Sequence, residues 1–529
     1  MAFQLSTIVL IVLQFQLSLT DHCIKRYFNQ NSFVCACDTR SCPPIPGTTR
    51  PPKGYLDQWV SSRTQHRFHL TRVNLNHLTR PLYPPSLVVT LRSNDRRQTI
   101  HGFGGAFTDA AGLNLLTLPM DLRDQIMKDY VSTHGIDYAI GRVPIAGTDF
   151  SSRVYTYDDN NDEEDLELKN FALQPEDTNL KIPMIKRALE LKNGPFRLIC
   201  SSWSSPGWMK TNNNITGSGF LRGIPGGPFY KAWARYLVKF LDSYAKEGVD
   251  FWAITTQNEP TQAIENEDFF YNNLGFTPEN LRDWIKDDLG PELEKSGYGR
   301  DNLNLLLYDD AREYLPNYTQ VVLTDETAAS FVNGVAFHWY KIDNRPRYNE
   351  LNVVHDKFPN HFLISTEACE GYERFSTRRA QLGNWTRAET YAIDIIEDIN
   401  RYTTGWLDWN LVLDLKGGPS WANNPTDGLI LVDTDRKIYY RNPMFYSLGH
   451  FSKFIPPGSV YIGHQVQGNS RGVYLAAFED PSNQKVIVIL NTNDNPVNLV
   501  INKFASVSVP ITLDPHSIRT LITPSSNVS

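Results

Sequence analysis

From residue 99 to residue 411, short apolar runs alternate with long amphipathic ones, the pattern of strands joined by helical crossovers. Eight runs stand out: 99–107 (TIHGFGGAF), 138–145 (YAIGRVPI), 196–203 (FRLICSSW), 251–259 (FWAITTQNE), 303–310 (LNLLLYDD), 332–340 (VNGVAFHWY), 361–368 (HFLISTEA) and 405–411 (GWLDWNL). Between the third and fourth, the stretch 229–247 places Trp233, Tyr236, Leu237, Phe240, Leu241 and Tyr244 on one helical face, and Gly248 follows as a stop. Eight parallel strands with helices between them predict an α/β fold, the (β/α)8 TIM barrel. Such a barrel builds its site at the carboxyl ends of its strands.

Outside this region the texture changes. Residues 472–523 contain GVYLAAF, KVIVILNTNDNPVNLVI, SVSVPITL and SIRTLIT, short β-rich runs broken by Asn, Asp and Pro. The stretches 67–74 and 87–91 look the same. The two ends of the chain are therefore expected to build one accessory antiparallel β-sandwich, 53–98 with 459–529, around a catalytic barrel of 99–410 with 444–458.

Composition narrows the function classes. The 529 residues are too many for one small module, and 41% apolar with 21% charged residues is ordinary for a soluble globular protein. The net charge of −7 is modest, and no basic cluster points to nucleic acid. The acidic run 158–167 (DDNNDEEDLE) lacks the central Gly and spaced terminal Glu of a calcium loop and reads as a solvated loop. No metal site or cofactor is expected.

Residues 1–20 are apolar but too short and too interrupted by Gln to span a bilayer, so they are read as a secretory signal. Cys23, Cys35, Cys37 and Cys42 crowd the start of the expected mature chain, and in a secreted protein such crowding means disulfides. Joining Cys35 to Cys37 would be strained, which leaves two pairings. Cys200 and Cys369 lie in apolar runs and are expected to stay buried thiols. Sequons at Asn214, Asn317, Asn384 and Asn527 are candidate glycosylation sites.

Two glutamates close barrel strands. Glu259 ends the fourth run and Glu367 the seventh, where they face each other across the mouth. Paired carboxylates are the working parts of glycoside hydrolysis: one protonates the leaving oxygen and the other attacks the anomeric carbon or activates water. Trp203, Trp208, His338, Tyr340, Trp406 and Trp409, at other strand ends, offer flat apolar faces with polar edges, which suit a sugar.

The segments GFGGAFTDAA (102–111), RVPIAGTDFSSRVYTY (142–157), QNEP (257–260), AFHWY (336–340), STEACEG (365–371), GWLDWNL (405–411) and NPMFYSLGHFSKFIPPGS (442–459) resemble the acid β-glucosidases of glycoside hydrolase family 30. The resemblance runs from Cys23 to about Ile522. It implies a TIM barrel with a β-sandwich and a small disulfide-bearing β-sheet from 21–52 with 411–443. It implies retaining hydrolysis of glucosylceramide, with Glu259 as acid/base and Glu367 as nucleophile. Asn258 then holds the sugar 2-hydroxyl. Asp149, Trp203, Trp409 and Asn424 match glucose-binding positions, and His338 and Tyr340 match residues that position the nucleophile. Disulfides Cys23–Cys35 and Cys37–Cys42 follow from the same resemblance, as do a lysosomal location, peripheral contact with lipid membranes and a saposin-type activator. Gln257 replaces an acidic residue and Pro425 an aromatic one. The first departure bears on the pH profile, the second on recognition of the lipid.

Overall fold

The computed structural model describes residues 23–48, 50–78, 85–159, 164–341, 345–372 and 379–524. The expected signal (1–20), the sequon Asn527 and residues 160–163 of the acidic run lie outside them.

The barrel strands are β1 (Gly102–Ala106), β2 (Ile140–Ile145), β3 (Arg197–Ser202), β4 (Ala253–Thr255), β5 (Asn304–Ala311), β6 (Val332–His338), β7 (Phe362–Glu367) and β8 (Thr403–Asn410). They close in the order β5-β6-β7-β8-β1-β2-β3-β4, with every neighbouring pair parallel. Ile140, Ile199, Ala253, Leu306, Ala336, Ile364 and Leu407, one from each of seven strands, pack together in the interior. The eighth strand, β1, is glycine-rich for a steric reason: a Cβ on Gly104 would lie 1.7 Å from the Ile140 carbonyl oxygen. The run 99–107 divides between two domains. Thr99 ends a sandwich strand, and the chain turns at Ile100 and His101, whose N–H groups donate to Ser459 O and Thr404 O, before β1 begins.

Helix α1 (Pro228–Lys246) buries the aromatic face read from the sequence, and Gly248, at φ +77°, ends it in the left-handed conformation that glycine adopts without strain. The accessory domain is a nine-stranded sheet in the order Val509–Leu513, Val497–Asn502, Leu87–Thr99, Val460–Gly468, Val473–Glu479, Lys485–Asn491, Ser517–Ile522, Tyr55–Ser62 and His69–Asn74. It closes over a core that includes Leu56, Leu87, Val89, Ile487, Leu499 and Leu513. The pairing is antiparallel except between Leu87–Thr99 and Val497–Asn502, which run parallel.

The small sheet orders Ile24–Tyr27, Phe33–Cys37, Ile438–Arg441, Ile430–Asp433 and Val412–Asp414. Disulfides join Cys23 to Cys35 and Cys37 to Cys42, and Cys200 and Cys369 are free and buried. The sheet is fastened to the barrel by a buried ion pair in which Arg441 Nε and Nη2 donate to the two oxygens of Asp129, at 2.6 and 2.7 Å. The sandwich is fastened by His450, on helix α2 (Pro443–Ser452), whose ring nitrogens lie 2.8 Å from Thr520 Oγ1 and 2.9 Å from Ser61 Oγ.

Candidate active site

The carboxyl ends of the strands open into a cavity of about 610 Å³, whose lining includes Asp149, Trp203, Glu259, Asp310, Tyr340, Glu367, Trp409 and Asn424. Its lining also includes Phe269, Phe270 and Tyr271 from the segment after β4.

Strand β4 is shorter than its apolar run, so Glu259 stands four residues beyond Thr255 rather than within the strand. Its φ of +46° is a left-handed conformation rare for a side chain with a Cβ, and its N–H donates to Asp309 O at 3.0 Å. The backbone thus turns this side chain into the mouth. Glu367 is the last residue of β7 and is 6% exposed. Carboxylate oxygens of Glu259 and Glu367 and a ring nitrogen of His338 all lie within 4.8 Å of one another. Nearest oxygens this close fit the ~5 to 5.5 Å carboxyl separation of retaining glycosidases and not the ~6.5 to 9.5 Å of inverting ones.

Glu367 is held at both oxygens. Tyr340 Oη donates to Oε1 at 2.9 Å and Arg142 Nη1 donates to Oε2. Tyr340 Oη also lies 3.2 Å from Cys369 Sγ, which brings one of the free thiols to the edge of the site. His338 pairs differently from the sequence expectation. Its Nδ1 lies 3.3 Å from Glu259 Oε1 and its Nε2 3.1 Å from Asp309 Oδ1, so its hydrogen bonds serve the acid/base candidate rather than the nucleophile candidate. The bulge in β5 that carries Asp309 beneath the ring accounts for this.

The expected sugar contacts converge. Trp203 and Trp409 stack at 5.1 Å, and Asn424 Nδ2 donates to Asp149 Oδ2 at 2.7 Å. Asn258 Oδ1 accepts from Arg142 Nη2 at 2.7 Å. Since Arg only donates, this fixes the amide with its NH2 as the group left to face a ligand. Gln257 is explained by its surroundings: Nε2 donates to Ser202 O, Trp203 O and Asn258 O at 2.8, 3.0 and 3.1 Å. Three acceptors converging on one buried side chain demand a donor, which an ionised acid cannot be. The carbonyl of Pro425 accepts from Arg379 Nη1 at 3.2 Å, in the loop that carries Asn424.

Electrostatics follow from burial and pairing. Burial raises the Glu367 carboxyl above its ordinary value; His338 and Arg142 pull it back without cancelling the rise, and Glu259 adds to it. Asp149 is pushed up to about 7, chiefly by burial, against the hydrogen bond from Asn424. For His338 burial works against the charged ring, but Glu367, Asp309 and Glu259 outweigh it and lift the ring to about 10.

Sequence reasoning passed over Arg142, Asp309 and Asp310. The signal was present: an Arg in the middle of the β2 run and two Asp at the end of the β5 run are charges inside apolar strands, and buried charges require partners.

Residues 100–455 match the glycosyl hydrolase family 30 TIM-barrel domain, and residues 458–521 match the family's beta sandwich domain. Among curated proteins the chain is 42% identical to lysosomal acid glucosylceramidase of Mus musculus, over 91% of each chain. It is 39% identical to putative glucosylceramidase 4 of Caenorhabditis elegans, over 92% of this chain and 93% of that one. Among solved structures, SrfJ from Salmonella typhimurium superposes with a TM-score of 0.78 at 25% identity, over 89% of this chain and 99% of that one. With this architecture and this pair of carboxylates, the chain belongs to glycoside hydrolase family 30.

Proposed function

We propose that this enzyme is a retaining β-glucosidase that hydrolyses glucosylceramide to glucose and ceramide in sphingolipid breakdown. The observation that carries the reading is the close approach of Glu259 and Glu367, within 4.8 Å, in a cavity lined by acids, an amide and aromatic side chains. In the first step Glu367 attacks the anomeric carbon. The bond from that carbon to the ceramide oxygen breaks, and the proton of Glu259 goes to the departing oxygen. In the second step Glu259 takes a proton from water, the oxygen of that water bonds to the anomeric carbon, and the ester to Glu367 breaks, freeing glucose. Tyr340 and Arg142 hold both oxygens of Glu367, which suits a group that must be charged and aimed before it attacks.

Asp149, Trp203, Trp409 and Asn424 take the glucose and Asn258 takes the 2-hydroxyl, with His338 and Tyr340 positioning the two glutamates. Ile264 and Phe270, 42% and 47% exposed on the segment after β4, suit contact with the lipid part of the substrate and with a membrane surface. No helix among the described residues is long and apolar enough to cross a membrane, so this contact is read as peripheral. A saposin-type activator, entry into the secretory route and delivery to the lysosome lumen complete the proposal. For glycans, Asn214 and Asn317 are exposed, whereas Asn384 caps a helix and its Nδ2 donates to Gln381 Oε1 at 2.6 Å.

The decisive experiment is mass-spectrometric mapping of a mechanism-based glucoside label together with an assay panel of glucosylceramide, xylan and β-1,6-glucan. Label on Glu367 and turnover of glucosylceramide are expected. Label on another residue, or turnover confined to the polysaccharides, would overturn the reading.

A further inference from the structure

Glu259 follows β4 and Glu367 ends β7, yet one buried side chain touches the partners of both. Asp309, near the end of β5, has no exposed surface and does not line the cavity, whereas its neighbour Asp310 does. Its Oδ2 accepts from Arg142 Nη2 at 2.9 Å and from Ser201 Oγ at 2.6 Å. Its Oδ1 accepts from Thr366 Oγ1 and lies 3.1 Å from His338 Nε2. Each of those two cations reaches one glutamate: Arg142 donates to Glu367, and the other ring nitrogen of His338 meets Glu259. The main chain adds a third tie, because Asp309 O accepts the N–H of Glu259.

The backbone is bent to make this arrangement. Tyr308 and Asp309 both have left-handed φ angles, +84° and +78°, and the pairing of β5 with β6 slips between Tyr308 and Asp310. Two consecutive residues with side chains in that region are strained, and strain of this kind persists where the surrounding contacts impose it. The bulge gives consecutive carboxylates different neighbours: Asp310 accepts from Thr261 and lines the cavity, while Asp309 lies among the cations.

We propose that Asp309 is a positioning residue that fixes Glu259 and Glu367 relative to each other, binding Arg142 and His338 into one unit beneath the reacting centre. The proposal rests on the reading of those two glutamates as the reacting pair. Asp309 is suited to the task because it stays charged: burial opposes its ionisation, but Arg142 and His338 outweigh it and hold the carboxyl well below the ordinary range. Facing it are Arg142 from β2, Ser201 from β3, the Glu259 main chain, His338 from β6, and Thr366 from β7. With an amide in its place, Arg142 is left without its central counter-charge and His338 without one of its two carboxylate partners.

The test is Asp309→Asn in the full chain. Removing one negative charge favours proton loss from Glu367, so the acidic limb of the pH profile should move to lower pH. A fluorogenic β-glucoside should show kcat reduced at least ~100-fold, with KM within about threefold of the parent, because Asp309 bonds directly to none of the side chains proposed to hold the sugar. Parental kcat, or a weakened enzyme whose profile does not move, overturns the proposal; the latter is what loss of packing alone would give. If the variant does not fold, Ser201→Ala combined with Thr366→Val removes two donors and keeps the charge. Reduced kcat at constant KM is then expected, and parental kcat again overturns the proposal. Glucoside labelling of the parent enzyme separates the two claims. Label on Glu367 with a parental Asp309→Asn refutes the positioning role alone, and label elsewhere refutes the reading of the site.

Discussion

Arg142 and Glu367 meet as an ion pair in which the side chains are 0% and 8% exposed. The same guanidinium donates to Asn258 and Asp309, so one planar group orients the expected nucleophile and the expected 2-hydroxyl contact together. Arg142→Lys keeps the charge but not the fork, and one ammonium cannot serve three partners in these directions. We expect kcat to fall at least ~100-fold for the Lys variant. Arg142→Gln, which strands buried carboxylates, should also lose about 3–5 kcal/mol in urea titration. A Gln variant within about 1 kcal/mol of the parent would show that the pair is not held as described.

The two glutamates separate by leaving group. On the proposed roles, Glu259→Gln removes the proton donor but not the attacking group, so a glucoside with a good leaving group should still form the glycosyl-enzyme, which then accumulates. Glu367→Gln should abolish turnover of every substrate. A Glu259→Gln enzyme as active as the parent on both activated and natural substrates would refute the assignment of the acid.

Gln257 yields a prediction particular to this chain. Its Nε2 meets three carbonyl oxygens, two of them from Ser202 and Trp203 at the end of β3. A glutamate there sets a carboxylate against three acceptors, and when protonated it offers a single donor. Gln257→Glu should therefore cost about 1–3 kcal/mol, in line with an unsatisfied buried group. Its deficit relative to the parent should grow as pH rises, because ionisation removes that one donor. Thermal melts of both proteins at pH 4.5 and 7 check it, and a deficit that shrinks on raising pH would contradict it.

His450 tests the seam between barrel and sandwich. It is fully buried and its ring is pushed down to about 3 by burial, with hydroxyls rather than charges as partners. A folded-state value below the unfolded one means stability that is present above about 6.5 and lost as pH falls through that value toward 3. The loss approaches about 1.4 kcal/mol per pH unit for this one group. His450→Gln does not titrate, so between pH 6.5 and 4.5 it should lose less stability than the parent, whatever its stability at neutral pH. Equal slopes in urea titrations across that range would mean that the ring is not held neutral.

What could be read from the sequence divides along physical lines. Strands β2, β3 and β5 to β8 were visible as apolar runs because both their faces are buried, and α1 because its buried face repeats with the helical period. The change from sandwich to barrel was read between 98 and 99, next to the end of the sandwich strand at Thr99, with only Ile100 and His101 before the first barrel strand. Glu259 and Glu367 are legible as candidates because acids end apolar runs. Asp309 escaped because its role depends on two left-handed residues that no local composition announces, and Arg142 because its partners come from β3, β5, β7 and the segment after β4. The direction in which His338 points was likewise set by the bulge in β5 and not by any spacing in AFHWY.

The nine-stranded sheet has a consequence for how the protein is made. Tyr55–Ser62 pairs with Ser517–Ile522, and Gln58 accepts a hydrogen bond from Arg519, 461 residues further along the chain. At ribosomal rates of about 5–20 residues per second, the earlier strand waits roughly 20 to 90 seconds before its neighbour exists. Phe33–Cys37 waits almost as long for Ile438–Arg441. A barrel can close while both edges remain unpaired, so a growing chain carries exposed strand edges until Ile438–Arg441 and then Ser517–Ile522 are made. Loss of the final strand should therefore show first as aggregation of newly made protein, before any defect in the chemistry of the site.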